Sequence, residues 1–279
     1  MDSASAHVPS PCFIDGSAGR LFALHHPAAI TVLPRRALIY VAPFAEEMNR
    51  ARRTAALQAR ALAEKGIDAL LLDLFGTGDS EGDFRDARWQ IWLEDIAAGA
   101  RWLRERRIEI IGLWGLRLGA LLAVAAASSA AGQFQRLLLW QPVVDGKNML
   151  TQVLRIRVAA GMHGQAPRET TDTLRRALAA AGSIEVAGYE ISADLAQALD
   201  AARMDRMPLP PGLRVDLFEL GGEQGLTMPV QRTLQLWRDA GLRTSATVVS
   251  GEQFWAVQEA APAMGLIEAT TAVIEAWSD

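Results

Sequence analysis

Residues 108–119 read Ile-Glu-Ile-Ile-Gly-Leu-Trp-Gly-Leu-Arg-Leu-Gly. An apolar run enters a Gly-x-x-x-Gly turn and continues into an apolar, Ala-rich stretch, which predicts a buried strand, a sharp turn and a helix, with Arg117 at the apex. A turn of this kind can push a nucleophilic side chain into an active site, and the flanking Gly115 and Gly119 permit its strained backbone and close helix-strand packing. Arg117 is no nucleophile. Its guanidinium stays protonated and has no lone pair to donate, so it offers only hydrogen bonds and positive charge.

On either side of this stretch the chain alternates apolar β-like runs with helical ones. Strands are predicted at residues 11–14, 21–25, 37–42, 69–74, 108–114, 136–140, 213–220 and 244–249. The inner runs are apolar throughout rather than alternating, as strands of a parallel sheet covered on both faces must be. Helices are predicted at 46–65, 90–106, 118–131, 229–240 and 264–277, with Lys65-Gly66 and Ala240-Gly241 as stop signals. The alternation implies a doubly wound, mostly parallel α/β fold. Residues 146–211 break the rhythm with helical stretches at 170–181 and 192–207 and no confident strand. They are read as a helical lid inserted into a core formed by residues 1–145 and 212–279.

Of the 279 residues, 50% are hydrophobic and 22% charged, which suffices for one large core. The net charge of −4 and the scattered basic pairs argue against nucleic acid as a partner. Cys12 is the single cysteine, so neither an internal disulfide nor a cysteine-based metal cluster can form, as suits a reducing cytoplasm. The first residues lack a signal-peptide pattern, and the apolar stretch 118–131 is shorter than the ~20 residues of a membrane span. A soluble cytoplasmic protein without stable membrane insertion is expected.

A Ser-His-acid site needs a general base late in the chain. The four histidines are His7, His25, His26 and His163, and none follows residue 163. In the segment 249–255, Val-Ser-Gly-Glu-Gln-Phe-Trp, the position of the base falls on Phe254. The acid position is altered too: in 221–225, Gly-Gly-Glu-Gln-Gly, the nearest carboxylate is Glu223, and Glu252 is a second candidate. Backbone donors can survive such losses. The N–H of Leu118 and one near Phe44 or Ala45 would form an oxyanion hole beside Arg117, an anion site at a helix N-terminus. Alternatively Arg117 is held in an internal salt bridge by Glu46, Glu47, Glu223 or Glu252. The two readings are compatible if a ligand competes for the guanidinium.

The expected lining is Arg117, Leu118, Phe44, Ala45 and Glu46, with Trp140 and Trp255 at element ends near the pocket. Residues 73–82, Asp-Leu-Phe-Gly-Thr-Gly-Asp-Ser-Glu-Gly, complete neither a dinucleotide nor a P-loop signature and read as structural support for the site. His25 and His26 read as surface residues, His163 as a residue of the insertion, and Trp102 and Trp237 as core. No metal site or cofactor is expected.

Four segments together resemble a known family: 41–49 (Val-Ala-Pro-Phe-Ala-Glu-Glu-Met-Asn), the 73–82 loop with its continuation to Trp89, 113–119, and 139–144 (Leu-Trp-Gln-Pro-Val-Val). Over residues 10–277 the chain resembles the exosortase A system-associated hydrolase 2 family, a branch of the α/β-hydrolase superfamily. The resemblance implies an α/β-hydrolase-type sheet and a bacterial cytoplasmic protein encoded beside the exosortase system and its exopolysaccharide genes. It admits a protein partner from that system. No catalytic residue carries over, because the superfamily's Ser and His are missing here. The sequence therefore favours binding of a small anionic or acyl-bearing ligand without serine chemistry. The rivals are a hydrolase or acyltransferase using Arg117 with Glu223 or Glu252, and a non-catalytic scaffold.

Overall fold

A computed structural model describes residues 8–161, 169–221 and 225–276. The chain opens with the antiparallel pair β1 (Ser10–Asp15) and β2 (Arg20–His26). It then alternates through β3 (Arg36–Val41), α1 (Glu46–Glu64), β4 (Ile67–Leu72), α2 (Trp89–Glu105), β5 (Ile110–Leu116), α3 (Leu118–Ser129) and β6 (Arg136–Trp140). Next come α4 (Gly146–Gly161), α5 (Thr171–Ala181), a hairpin of β7 (Ser183–Val186) and β8 (Tyr189–Ser192), and α6 (Ala193–Ala201). The chain returns through β9 (Arg214–Leu220), α7 (Met228–Asp239), β10 (Arg243–Val249) and α8 (Met264–Glu275).

The main sheet has eight strands in the order β1-β2-β4-β3-β5-β6-β9-β10. From β4 to β10 all strands run parallel, and β2 is antiparallel to both its neighbours. Helices cover both faces, so inner strands such as β3 and β6 are buried along almost their whole length. One core layer lies between the sheet and α2 and α3, and the other between the sheet and α1 and α8. Helix α3 is buried on all sides from Leu118 to Ala127, which explains why its sequence shows no polar face.

Three expectations are corrected. Strand β5 runs from Ile110 to Leu116, later than the predicted 108–114. The insertion contains the β7–β8 hairpin as well as helices, closed by an Ala187-Gly188 turn in which both residues have positive φ. His26 is 1% exposed rather than on the surface, because β1 takes the sheet edge and β2 lies inside it. No helix among the described residues is long and apolar enough to cross a membrane.

Candidate functional site

The site lies where the parallel strands end. Each of the adjacent strands β3, β5 and β6 is followed by a non-glycine residue at positive φ: Ala45 at 52°, Arg117 at 56° and Gln141 at 40°. Such backbone costs about 1–3 kcal/mol per residue and persists only where its surroundings fix it. Here they do. Arg117 donates its N–H to the Trp140 carbonyl at 3.0 Å, and its own carbonyl accepts from Val143 at 3.1 Å. Gln141 donates its N–H to Phe218 at 2.7 Å, and its side-chain oxygen accepts from Leu220 N at 2.7 Å.

The glycines beside Arg117 are steric requirements. A Cβ on Gly115 would overlap the backbone of Gly119 and Ala120, and one on Gly119 would overlap the carbonyls of Val41 and Ala42. The elbow thus seats α3 directly on the end of β3. Ala45 caps α1 and Arg117 caps α3, so the N-termini of two helices converge. Ala45 and Leu118 both line a small space of about 20 Å³, walled also by Phe44, Phe84, Trp92 and Leu122. That is about the room one water needs.

The guanidinium of Arg117 meets one carboxylate oxygen. Its Nε and Nη2 both donate to Glu47 Oε1 at 3.3 Å, Nη2 also lies 3.9 Å from the Met149 sulfur, and Cζ stands 5.6 Å from the centre of the Trp255 ring. Both charged side chains keep some solvent contact, 18% for Arg117 and 21% for Glu47. Glu47 Oε2 has no hydrogen-bond partner among the described residues. Burial pushes the Glu47 carboxyl above the usual range, against the opposing pull of Arg117. The pair is therefore long, uses one oxygen, and leaves bonding capacity on both partners.

The remaining predicted residues distribute as follows. Glu46 is exposed and turns away from Arg117, accepting from Asn49 at 3.2 Å and from the Tyr189 hydroxyl of the inserted hairpin at 3.3 Å. Phe254 and Trp255 are buried, stacked edge to face at 5.1 Å. Trp140 does not line a pocket: it is 0% exposed, its indole N–H donates to Thr270 Oγ1 at 2.9 Å, and its ring packs against Trp114 and Phe254. Helix α8 supplies Thr270 from far along the chain, a partner its place at a strand end did not reveal. Glu252 is exposed and makes no side-chain contact with Arg117 among the described residues. Glu223 and His163 lie outside the described residues.

Residues that the sequence reading missed are Met149 on α4, Gln141, and Glu219 at the end of β9. Glu219 is 4% exposed and accepts from Thr227 N at 2.7 Å and Thr227 Oγ1 at 2.9 Å, anchoring the start of α7. A charged residue closing an apolar strand was the available signal. The 73–82 loop folds onto itself: Asp73 accepts from Asp79 N at 3.0 Å and Arg52 at 3.1 Å, while buried Asp95 accepts from Phe75 N at 2.8 Å. Burial pushes Asp95 up to about 7. His25 bonds Asp68 at 2.9 Å and packs on Trp102, which is half-buried under Arg106. Among the described residues no group of three or more His, Cys, Asp or Glu side chains is placed to hold a metal ion.

No family model and no curated protein matches the chain. Solved structures do. Est1E from Butyrivibrio proteoclasticus with ferulic acid bound superposes with a TM-score of 0.66 at 15% identity, over 95% of this chain and 97% of that one. An esterase from Pyrococcus furiosus gives 0.63 at 13% identity, over 97% and 90%. An α/β serine hydrolase homologue from Coxiella burnetii gives 0.56 at 14% identity, over all of both chains. At such identities the likeness is one of fold: this chain has the α/β-hydrolase fold.

Proposed function

We propose that the elbow binds a small anionic or acyl-bearing ligand through Arg117, without serine-hydrolase chemistry. One observation carries the reading. The apex of a strained turn, at the N-terminus of a buried helix, presents a guanidinium whose ion pair engages a single carboxylate oxygen at 3.3 Å. An incoming carboxylate, phosphate or acyl oxygen would compete with Glu47 and gain the Leu118 N–H, which as the first amide of α3 has no intrahelical acceptor. The ferulic acid of Est1E makes small aromatic acids natural probes.

In this reading residues 146–211 act as the lid over a core of 1–145 and 212–279. Met149 reaches Arg117, and Tyr189 reaches the first turn of α1. The segment resemblance adds a cytoplasmic setting and a protein partner in an exosortase and exopolysaccharide system. A second reading, a hydrolase or acyltransferase, is favoured by Glu47. A carboxyl raised by burial beside a guanidinium can accept a proton from water while Arg117 polarises a carbonyl. Glu47 then takes the role assigned from sequence to Glu223 or Glu252.

Two measurements test the proposal. Ferulate, benzoate and phosphate should each be screened for a thermal shift; stabilisation by none of them leaves the scaffold reading. Intact-mass spectrometry after fluorophosphonate treatment should show no adduct, for the wild type or for Arg117→Ser, because the chain has no histidine after residue 163 to serve as the late general base. A stoichiometric adduct on a serine would refute the non-serine mechanism.

A further inference from the structure

The two edges of the main sheet are built differently. At one end of the strand order, β1 carries Pro11, which has no N–H to offer, and finishes on Asp15. At the other end, β10 reads Arg-Thr-Ser-Ala-Thr-Val-Val over Arg243–Val249, with no proline and no charge after Arg243. Its register with β9 is continuous from Arg243 to Val249, so no bulge turns the edge away. The Val249 carbonyl accepts from Gly221 N at 3.0 Å, which fixes the direction of the whole strand. Residues 245, 247 and 249 bond β9, and the N–H and C=O of Thr244, Ala246 and Val248 point outwards. Those outward groups bond nothing among the described residues. Open donors and acceptors on an edge with nothing to repel a neighbour are a template for another strand.

We propose that β10 is the seam of a dimer, in which a second copy of this chain adds its own β10 antiparallel across a two-fold axis at Ala246 and the two sheets become one. The register follows from which groups are open. Ala246 opposite Ala246 forms a hydrogen-bonded pair on the axis, and Thr244 opposite Val248 forms the next pair on each side, so every outward N–H and C=O finds a partner. Charge selects a second copy over an unrelated strand. Arg243, at the start of β10, and Glu252, just past its end, are both exposed, and neither forms an ion pair among the described residues. Antiparallel pairing brings Arg243 of each copy to the end of the seam where the other copy's Glu252 leaves, and the two-fold axis repeats the match at the far end.

The test follows the full chain by sedimentation equilibrium. The wild type should approach the mass of a dimer on concentration. Ala246→Pro, which removes no bond to β9 because that N–H faces outwards, should remain a monomer with the circular dichroism of the wild type. Arg243→Glu and Glu252→Arg should each weaken the dimer about tenfold, since each sets like charges against one another at both ends of the seam. An equimolar mixture of these two variants should regain the wild-type affinity, because opposite charges then meet at both ends. If Ala246→Pro fails to fold, the mixture decides alone. A wild type that stays monomeric at every soluble concentration, a dimer that survives Ala246→Pro, or a mixture no tighter than its components would overturn the proposal.

Discussion

Two loops that leave the carboxyl ends of the parallel strands differ in what they carry. The turn after β5 keeps the full backbone geometry of an elbow, with Gly115 and Gly119 packed too closely for any side chain and Arg117 held at φ 56°. The loop after β10 carries Phe254, the residue that sequence alignment sets at the base position, and buries it with Trp255 in the aromatic layer with Trp140. The first has a polar side chain with solvent contact at its apex; the second is core. Backbone strain at the apex and a nucleophile there are thus separable. The same strained scaffold can hold at a strand end a side chain that is no nucleophile.

The comparison breaks most visibly through Phe254. Its truncation to alanine should cost about 3–5 kcal/mol of unfolding free energy in a denaturant titration. Arg117→Met, by contrast, should cost less than about 1 kcal/mol, because its ion pair is long and partly solvated. Equal costs would mean that both loops are structural. Next in size is Gly119→Ala, whose new Cβ meets backbone carbonyls that cannot move aside. A loss of about 2–3 kcal/mol is expected, and a neutral outcome would show that the elbow is not close-packed.

A smaller effect concerns Glu47. Its carboxylate competes with an incoming anion for Arg117, and its raised pKa means that lowering the pH neutralises the competitor. As long as ferulate stays ionised, its affinity for the wild type should rise as the pH falls towards the raised pKa of Glu47. Glu47→Gln should bind about tenfold more tightly at pH 8 and lose most of that dependence. Identical pH profiles would remove Glu47 from the account.

The fold was legible because its inner strands are continuous apolar runs and its helices are periodic or wholly apolar. The elbow was legible from two glycines around a central residue. What could not be read was direction. Glu46 and Glu47 are neighbours on one helix, about 100° apart, and only the packed structure shows that Glu47 faces Arg117 while Glu46 faces Tyr189. Trp140 stands at a strand end like a pocket residue, but helix α8 closes over it from more than a hundred residues away. The β7–β8 hairpin had a local signal that the prevailing helical pattern obscured: Ile184 and Val186 alternate, an Ala187-Gly188 turn follows, and Ile191 resumes on the returning strand.

The central claim, that the elbow arginine anchors an anion, is tested most directly by calorimetric titration of ferulate into the wild type and Arg117→Met at pH 6. Loss of a charge-assisted contact in a partly desolvated site predicts affinity about ten- to a hundredfold weaker in the variant. Equal affinity in both proteins, for ferulate shown crystallographically to occupy the elbow, would contradict it.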